Sequence, residues 1–169
     1  YISSASSVLM DQYGLGQQQF AYAFGFNALG IMIVSSINKK LVSKLGTMTR
    51  LKIGGFIQLA GAALVLLSGL ISDAPIAMVM AGLFLAVSGL GMTGPNAMAL
   101  AMSRQGARAG TASAIMGSMQ FGCGLLGGVI LNFLVWNALL NMGIMMMLFS
   151  GAGVIAIFAV ARQLKLQNA

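Results

Sequence analysis

Asn38-Lys39-Lys40-Leu41-Val42-Ser43-Lys44-Leu45-Gly46-Thr47-Met48-Thr49-Arg50-Leu51-Lys52 is the stretch on which the fold turns. It holds five of the nine Lys and Arg residues of a 169-residue chain, and long apolar segments flank it on both sides. A soluble protein scatters such charges over its surface. Cations gathered between two apolar runs instead mark a loop between membrane spans. The excess of Lys and Arg on the cytoplasmic side of membrane proteins then places this loop inside the cell. The direction of every other segment follows by counting crossings.

Composition says the same. The chain is 59% hydrophobic and 7% charged, with mean hydropathy +0.93, whereas a globular domain is about 25% charged. A net charge of +7 would suit nucleic acid, but the cations are not interleaved with aromatics on one face. They sit at the ends of apolar runs, which is the pattern of membrane topology. Fourteen Met and 23 Gly residues suit tightly packed membrane helices whose surfaces adapt to varied contacts. The one cysteine, Cys123, rules out a disulfide within the chain and reads as a small packing residue.

Working outward from the basic run, the segment before it, about Gln17 to Ile37, is one span with a polar Gln17-Gln18-Gln19 entry. Before that, Tyr1 to about Tyr13 reads as the last part of a helix, covering ~20 Å of a ~30 Å hydrocarbon core. Gly14-Leu15-Gly16 makes the turn between them, and no signal-peptide pattern precedes it. Beyond the basic run, where Gly46 can supply a tight turn, Leu51 to Ile71 is a third span. Ser72-Asp73-Ala74-Pro75 turns into the fourth, Ile76 to Met102. Thr111 to Trp136 crosses again, with Trp136 at the interface. The last span covers 140–161, after a short Asn137–Asn141 turn that could equally be its frayed start, and the tail is Arg162 to Ala169.

The charges test this order. Lys39, Lys40, Lys44, Arg50 and Lys52 fall in one loop, Arg104 and Arg108 in another, Arg162 and Lys165 in the tail. Alternating crossings put all nine on one side, and Asp11 and Asp73 on the other. Independent placement would rarely sort them so. The expected fold is an all-α membrane protein with five full spans and a partial one. That is half of a twelve-helix architecture, or a six-helix protein without its start, in either case multi-pass in the plasma membrane with a cytoplasmic C-terminus.

Catalytic groupings are absent: there is no His, no pair of carboxylates and no Cys cluster. Neither a metal site nor a nucleophile–base pair can be built, so no enzyme is expected. A proton relay needs an Asp, Glu or His at membrane depth, so a coupling carboxylate would have to lie outside this sequence. The most pointed feature is Gly91-Met92-Thr93-Gly94-Pro95-Asn96 in the fourth span. Pro95 lacks an N–H and crowds the carbonyl of Gly91, so a kink is expected there. It would aim Asn96 into a central cavity with Met92, Gln120 and Phe121 nearby. The alternative is that Asn96 ties two helices together. In the fifth span Gly110, Ala114, Ser118 and Gly122 recur every four residues, and Gly124 and Gly128 share another face, a pattern of close helix packing. Phe24, Phe26 and Asn27 form an aromatic and amide patch in the second span, while Gln58 and Asn132 read as structural.

Together these residues resemble the bicyclomycin-resistance (Bcr/CflA) transporters, drug:proton antiporters of the major facilitator superfamily. Tyr13-Gly14-Leu15-Gly16-Gln17-Gln18-Gln19-Phe20 and Phe24-Gly25-Phe26-Asn27-Ala28-Leu29-Gly30 are similar to the region of the family's eighth helix. Gly94-Pro95-Asn96-Ala97-Met98-Ala99-Leu100-Ala101, Ala109-Gly110-Thr111-Ala112-Ser113-Ala114 and Gln120 are similar to its tenth and eleventh. The resemblance implies helices seven (partial) to twelve, proton-driven export of amphipathic drugs by alternating access, and a partner N-terminal six-helix half. It implies no cofactor beyond the proton gradient and no nucleic acid. Substrate-cavity candidates are then Phe24, Asn27, Met92, Pro95, Asn96, Gln120 and Phe121. Gating-loop candidates are Leu41, Lys44, Gly46 and Arg50. The superfamily loop pattern G-x-L-x-D-R-x-G-R-R is echoed by Leu41, Lys44 and Gly46, but Lys39 replaces its Gly and Ser43 its Asp. Export of an amino acid or sugar by the same fold, and a non-transporting assembly or receptor subunit, are the competing expectations.

Overall fold

A computed structural model describes the chain except Arg104, Asn132, Asn168 and Ala169, and the side chains of Ser3, Ala107, Lys165 and Gln167. The loop cation Arg104 and the amide Asn132 therefore lie outside the described residues. The described residues form helices joined by short turns. Helix α1, Ile2–Ser6, runs directly into a π-helical segment, Ser7–Gln12. Then follow α2 (Gln17–Leu41), α3 (Thr47–Leu70), α4 (Ile76–Ser88), α5 (Leu90–Met102), a 3₁₀ turn (Gly106–Arg108), α6 (Ala109–Leu131) and α7 (Ala138–Gln167). Taking α4 and α5 as one unit, five helices among the described residues are long and apolar enough to cross a membrane.

Helix ends follow local chemistry. Gly14, at φ +69, supplies the left-handed residue that ends the first helical segment. The Gln19 side-chain oxygen accepts from the Gly16 N–H at 3.0 Å, which accounts for the polar entry to α2. That helix does not stop at Ile37. It runs through Asn38, Lys39, Lys40 and Leu41, since Lys and Leu are good helix formers and cations favour a helix C-terminus. The basic loop shrinks to Val42–Gly46. Gly46 is not a left-handed turn residue but the extended N-cap of α3 (φ −62, ψ 153), so Arg50 belongs to α3's first turn rather than to the loop. Asp73 takes φ 56 in the next turn, a conformation Asp tolerates, and Pro75 is the N-cap of α4.

At the other end of the chain, α6 stops at Leu131, five residues short of Trp136, which is exposed in the connection to α7. Asn137 caps α7 by accepting from the Leu140 N–H at 2.8 Å. Asn141 then donates back to the carbonyls of Leu134 and Trp136. The Asn137–Asn141 segment is thus the start of α7, and that helix carries on through most of the tail.

Helix α3 is the hub, packed against α4, α5 and α7, while α2 lies on α4 and α5. Lipid offers little hydrophobic drive between helices, so close backbone approach carries the packing. A Cβ at Gly61 of α3 would overlap the backbone of Ala86 in α4. One at Gly143 of α7 would lie 2.6 Å from the Leu66 Cα. The core gathers Val8, Leu9, Ala23, Val65, Val79, Leu83, Leu139 and Met142, where the first segment meets α2, α3, α4 and α7. The close packing expected of the small residues on α6 is not found. Gly110, Gly117, Gly122 and Gly124 have open space where a Cβ would stand, and no described α6 side chain is buried. From Cys123 to Leu131, the C-terminal part of α6 borders a cavity.

Candidate functional site

Where α2, α3 and α5 converge, three polar side chains close a knot. Asn38 sits in the last turn of α2, Arg50 in the first turn of α3, and Asn96 one residue after the proline of α5. They are 6%, 7% and 2% exposed. The Asn38 Oδ1 accepts twice: from Arg50 Nη1 at 3.0 Å and from Asn96 Nδ2 at 2.9 Å. Asn96 Nδ2 also donates to the Met92 carbonyl at 2.7 Å. Arg50 Nε donates to the Leu45 carbonyl at 3.1 Å and Nη2 to Thr47 Oγ1 at 3.3 Å. One amide oxygen therefore joins three helices and pins the short loop between two of them.

This geometry answers the expectation for Asn96. The structure turns its amide toward α2 and α3, not toward Gln120 and Phe121. Both of those are exposed on α6, Phe121 at 81%. The regular helix is also interrupted at Gly89 rather than at Pro95. Pro95 leaves the Gly91 carbonyl without its i+4 donor, and Ser35 Oγ of α2 approaches that carbonyl at 3.4 Å. A Cβ at Gly91 would collide with the Ile31 carbonyl and Ser35, so glycine is what lets α2 come close enough to meet the freed oxygen. Met92 is 2% exposed and forms part of the helix contact.

Of the second-span patch, Phe24 and Asn27 face the first helical segment and Phe26 does not. Phe24 stacks on Tyr1, with ring centroids 5.2 Å apart, and lies 5.3 Å from Phe20. Asn27, 1% exposed, donates to Tyr1 Oη at 2.9 Å, while its own Oδ1 has no partner among the described residues. Phe26 packs away from this group, 4.6 Å from Phe84. At the opposite end from the knot, Tyr13 Oη donates to the Ala74 carbonyl at 2.8 Å. Burial, and then the nearby Asp73 carboxylate, push this phenol's pKa up. The Gln12 side chain accepts from Leu139 N–H at 3.1 Å, tying the same end to α7.

A cavity of ≈ 450 Å³ opens between α1, α3, α4, α5, α6 and α7. Its polar groups are Tyr1, Ser4, Gln58 and Ser150, its apolar wall includes Met142, Met145 and Phe149, and among the described residues no charged side chain lines it. Ser4 Oγ is buried without a partner among the described residues. Gln58, read from sequence as structural, reaches this cavity. Of the gating-loop candidates, Leu41 ends α2 half-buried, Lys44 and Gly46 are exposed, and Arg50 is buried in the knot.

Sequence reasoning missed Asn38, Ser35 and Gln12. For Asn38 a signal existed. Asn27 and Asn38 are eleven residues apart, close to three helical turns, so they fall on one face of α2. Ala23 and Gly30, also buried, share that stripe. Ser35 could be found only by knowing which helix passes the carbonyl that Pro95 frees.

Apolar helices of spanning length and glycine-mediated packing between them mark a multi-pass membrane protein. The chain belongs to the Major Facilitator Superfamily, which its residues 1–128 match. It is 29% identical over 170 residues to an uncharacterised MFS-type transporter, YdgK, of Bacillus subtilis, covering 99% of this chain and 41% of the relative. It is 31% identical over 130 residues to a bicyclomycin resistance protein homolog of Haemophilus influenzae, covering 76% of this chain and 32% of that protein. The chain thus spans less than half the length of these relatives. No solved structure matches it.

Proposed function

We propose that this chain forms the C-terminal helical bundle, from a partial seventh helix to the twelfth, of a Bcr/CflA-type exporter that expels amphipathic drugs in exchange for protons. The supporting observation is the cavity: ≈ 450 Å³, walled by methionine and aromatic side chains, with hydroxyls and an amide but, among the described residues, no charged side chain. Such a lining favours molecules with an apolar body and a few hydrogen-bonding groups over strongly ionic ones. The bicyclomycin resistance homolog among the relatives points the same way. On this reading the bundle rocks against an N-terminal half in alternating access, with the cation-bearing end cytoplasmic. Gln120 and Phe121, exposed on α6, meet substrate from the half-to-half side. Phe24 and Asn27 shape the first-segment wall. Met92, Pro95 and Asn96 hold the frame, and the α2–α3 corner formed by Leu41, Lys44, Gly46 and Arg50 lies at the gate. The full-length gene, expressed in an efflux-deficient host, is expected to raise tolerance to several unrelated apolar antibiotics. Unchanged drug tolerance together with clearance of an amino acid or sugar from the cytoplasm would reject drug export.

A further inference from the structure

We propose that Gln58, at the middle of α3, is the group by which the cavity reads its ligand. The ligand is an uncharged molecule with an N–H and a C=O on one edge, beside an apolar body. This rests on the cavity being the substrate site. Gln58 is the twelfth of the 24 residues of Thr47–Leu70, about 18 Å of helix from either end and so near the bilayer midplane. Transporters place their substrate groups at that depth. The residue is half-buried and lines the cavity.

An amide at this depth needs a partner. The buried asparagines of the bundle have theirs: Asn38 and Asn96 hold each other, Asn27 donates to Tyr1 Oη, and Asn141 donates to two carbonyls. Gln58 forms no hydrogen bond among the described residues. Its stem passes the break between α4 and α5, where a Cβ at Gly89 would overlap Gln58 Cγ. The glycine thus leaves the side chain room beside Ala86, Val87 and Leu90, which line the same cavity. A second unmet group lies in the α1 wall. Ser4 is 6% exposed, and its Oγ has no partner among the described residues. The rest of the lining is largely apolar, so what satisfies these groups enters with the ligand.

The class of ligand follows from the amide. Oε1 accepts and Nε2 donates, side by side in one plane. The complement is an edge with a donor next to an acceptor, as in a lactam, a primary carboxamide or a urea. An ether or ester answers only half of it. Ionic groups are disfavoured, because among the described residues no charged side chain lines the cavity to pair with them. Met142, Met145 and Phe149 meet the apolar body, the thioethers adapting to its outline. A site built to hydrogen-bond an N–H rejects the analogue lacking it, because a polar group of the protein is then left unpaired.

The test is binding of two fluorescent bicyclic probes, the lactam carbostyril and the lactone coumarin, to the full-length protein in phosphatidylcholine nanodiscs. The probes share one shape and differ in the ring N–H, which coumarin replaces with oxygen. Wild type is expected to bind carbostyril roughly tenfold more tightly than coumarin. Gln58→Met, which keeps the length of the side chain, and Gln58→Leu should each bring that ratio to about one, mainly by weakening carbostyril, with Tm near that of wild type. Equal affinities in wild type, no binding of carbostyril, or a ratio that survives in both variants overturns the proposal. So does a parallel loss of both probes with a lowered Tm, which makes Gln58 a structural tie. Drug tolerance of the efflux-deficient host is read separately. A Gln58-dependent ratio without any gain in tolerance upholds the recognition role and rejects drug export alone.

Discussion

Removing the Asn38 side chain attacks the knot at its only shared atom. Asn38→Ala takes away the acceptor of two hydrogen bonds, from Arg50 at 3.0 Å and Asn96 at 2.9 Å. Interhelical hydrogen bonds in membranes are worth ~0.6–2 kcal/mol each, which gives ~1–4 kcal/mol for the pair. The site decides where in that range the cost falls. One donor is a guanidinium, none of the three residues is more than 7% exposed, and Arg50 Nη1 would lose its acceptor while Asn96 Nδ2 keeps only the Met92 carbonyl. Unmet buried donors cost their full desolvation, so ~3–4 kcal/mol is expected. Asn96→Ala is gentler. Arg50 keeps Asn38, and the Met92 carbonyl loses only an extra donor, so ~1 kcal/mol is expected. The double variant should fall short of additivity by ~1 kcal/mol, the shared bond. Equilibrium unfolding of the purified chain in mixed micelles titrated with SDS measures all three. If Asn96→Ala costs as much as Asn38→Ala, or the cycle shows no coupling, the knot is not organised around the Asn38 oxygen.

Glycines separate by neighbour. Gly61→Ala forces a methyl against the Ala86 backbone and should cost 1–3 kcal/mol or more, whereas Gly94→Ala enters open space and should be neutral or stabilise by ~0.5–1 kcal/mol; unfolding midpoints report both. Tyr13 has its pKa raised, so the contribution of its bond to Ala74 is complete below the ordinary tyrosine range, near pH 10, and is lost as pH climbs through the raised value. The stability gap between wild type and Tyr13→Phe should therefore close in alkaline melts, and a gap that widens would contradict this. Cysteines at Ser43 and Ser72, both exposed in loops at opposite ends of α3, should label from opposite sides of the membrane. Labelling from the same side would break the alternating order.

What could be read from the sequence is what hydropathy and charge write along one dimension. The basic run, the two Asp residues and the lengths of the apolar stretches are sufficient for the helix order, because a span must be about twenty residues whatever it packs against. Helix ends were less legible. Lys39 and Lys40 read as loop because they are charged, yet they extend α2 because nothing local stops it and its C-terminal end attracts cations. The glycine pattern misled in another way. A small residue permits close approach without causing it, and Gly61 and Gly143 have helices against them where Gly110 and Gly122 do not.

The polar side chains show why the site itself stayed hidden. An amide inside an apolar run announces that it has a partner, but not on which side. Asn96 followed the only proline within a span, and a kink opening onto a cavity was a natural inference from that pairing. The bundle uses the same two residues differently. Pro95 frees the Gly91 carbonyl, and the glycine at that carbonyl lets α2 approach until Ser35 reaches it at 3.4 Å. One helical position beyond the proline, Asn96 reaches the Asn38 oxygen, which already holds Arg50. The proline and the two amides thus do one job between them, locking α5 to the α2–α3 corner. The break in the span falls instead at Gly89, where the Gly54 carbonyl and Gln58 of α3 press close enough to exclude a Cβ.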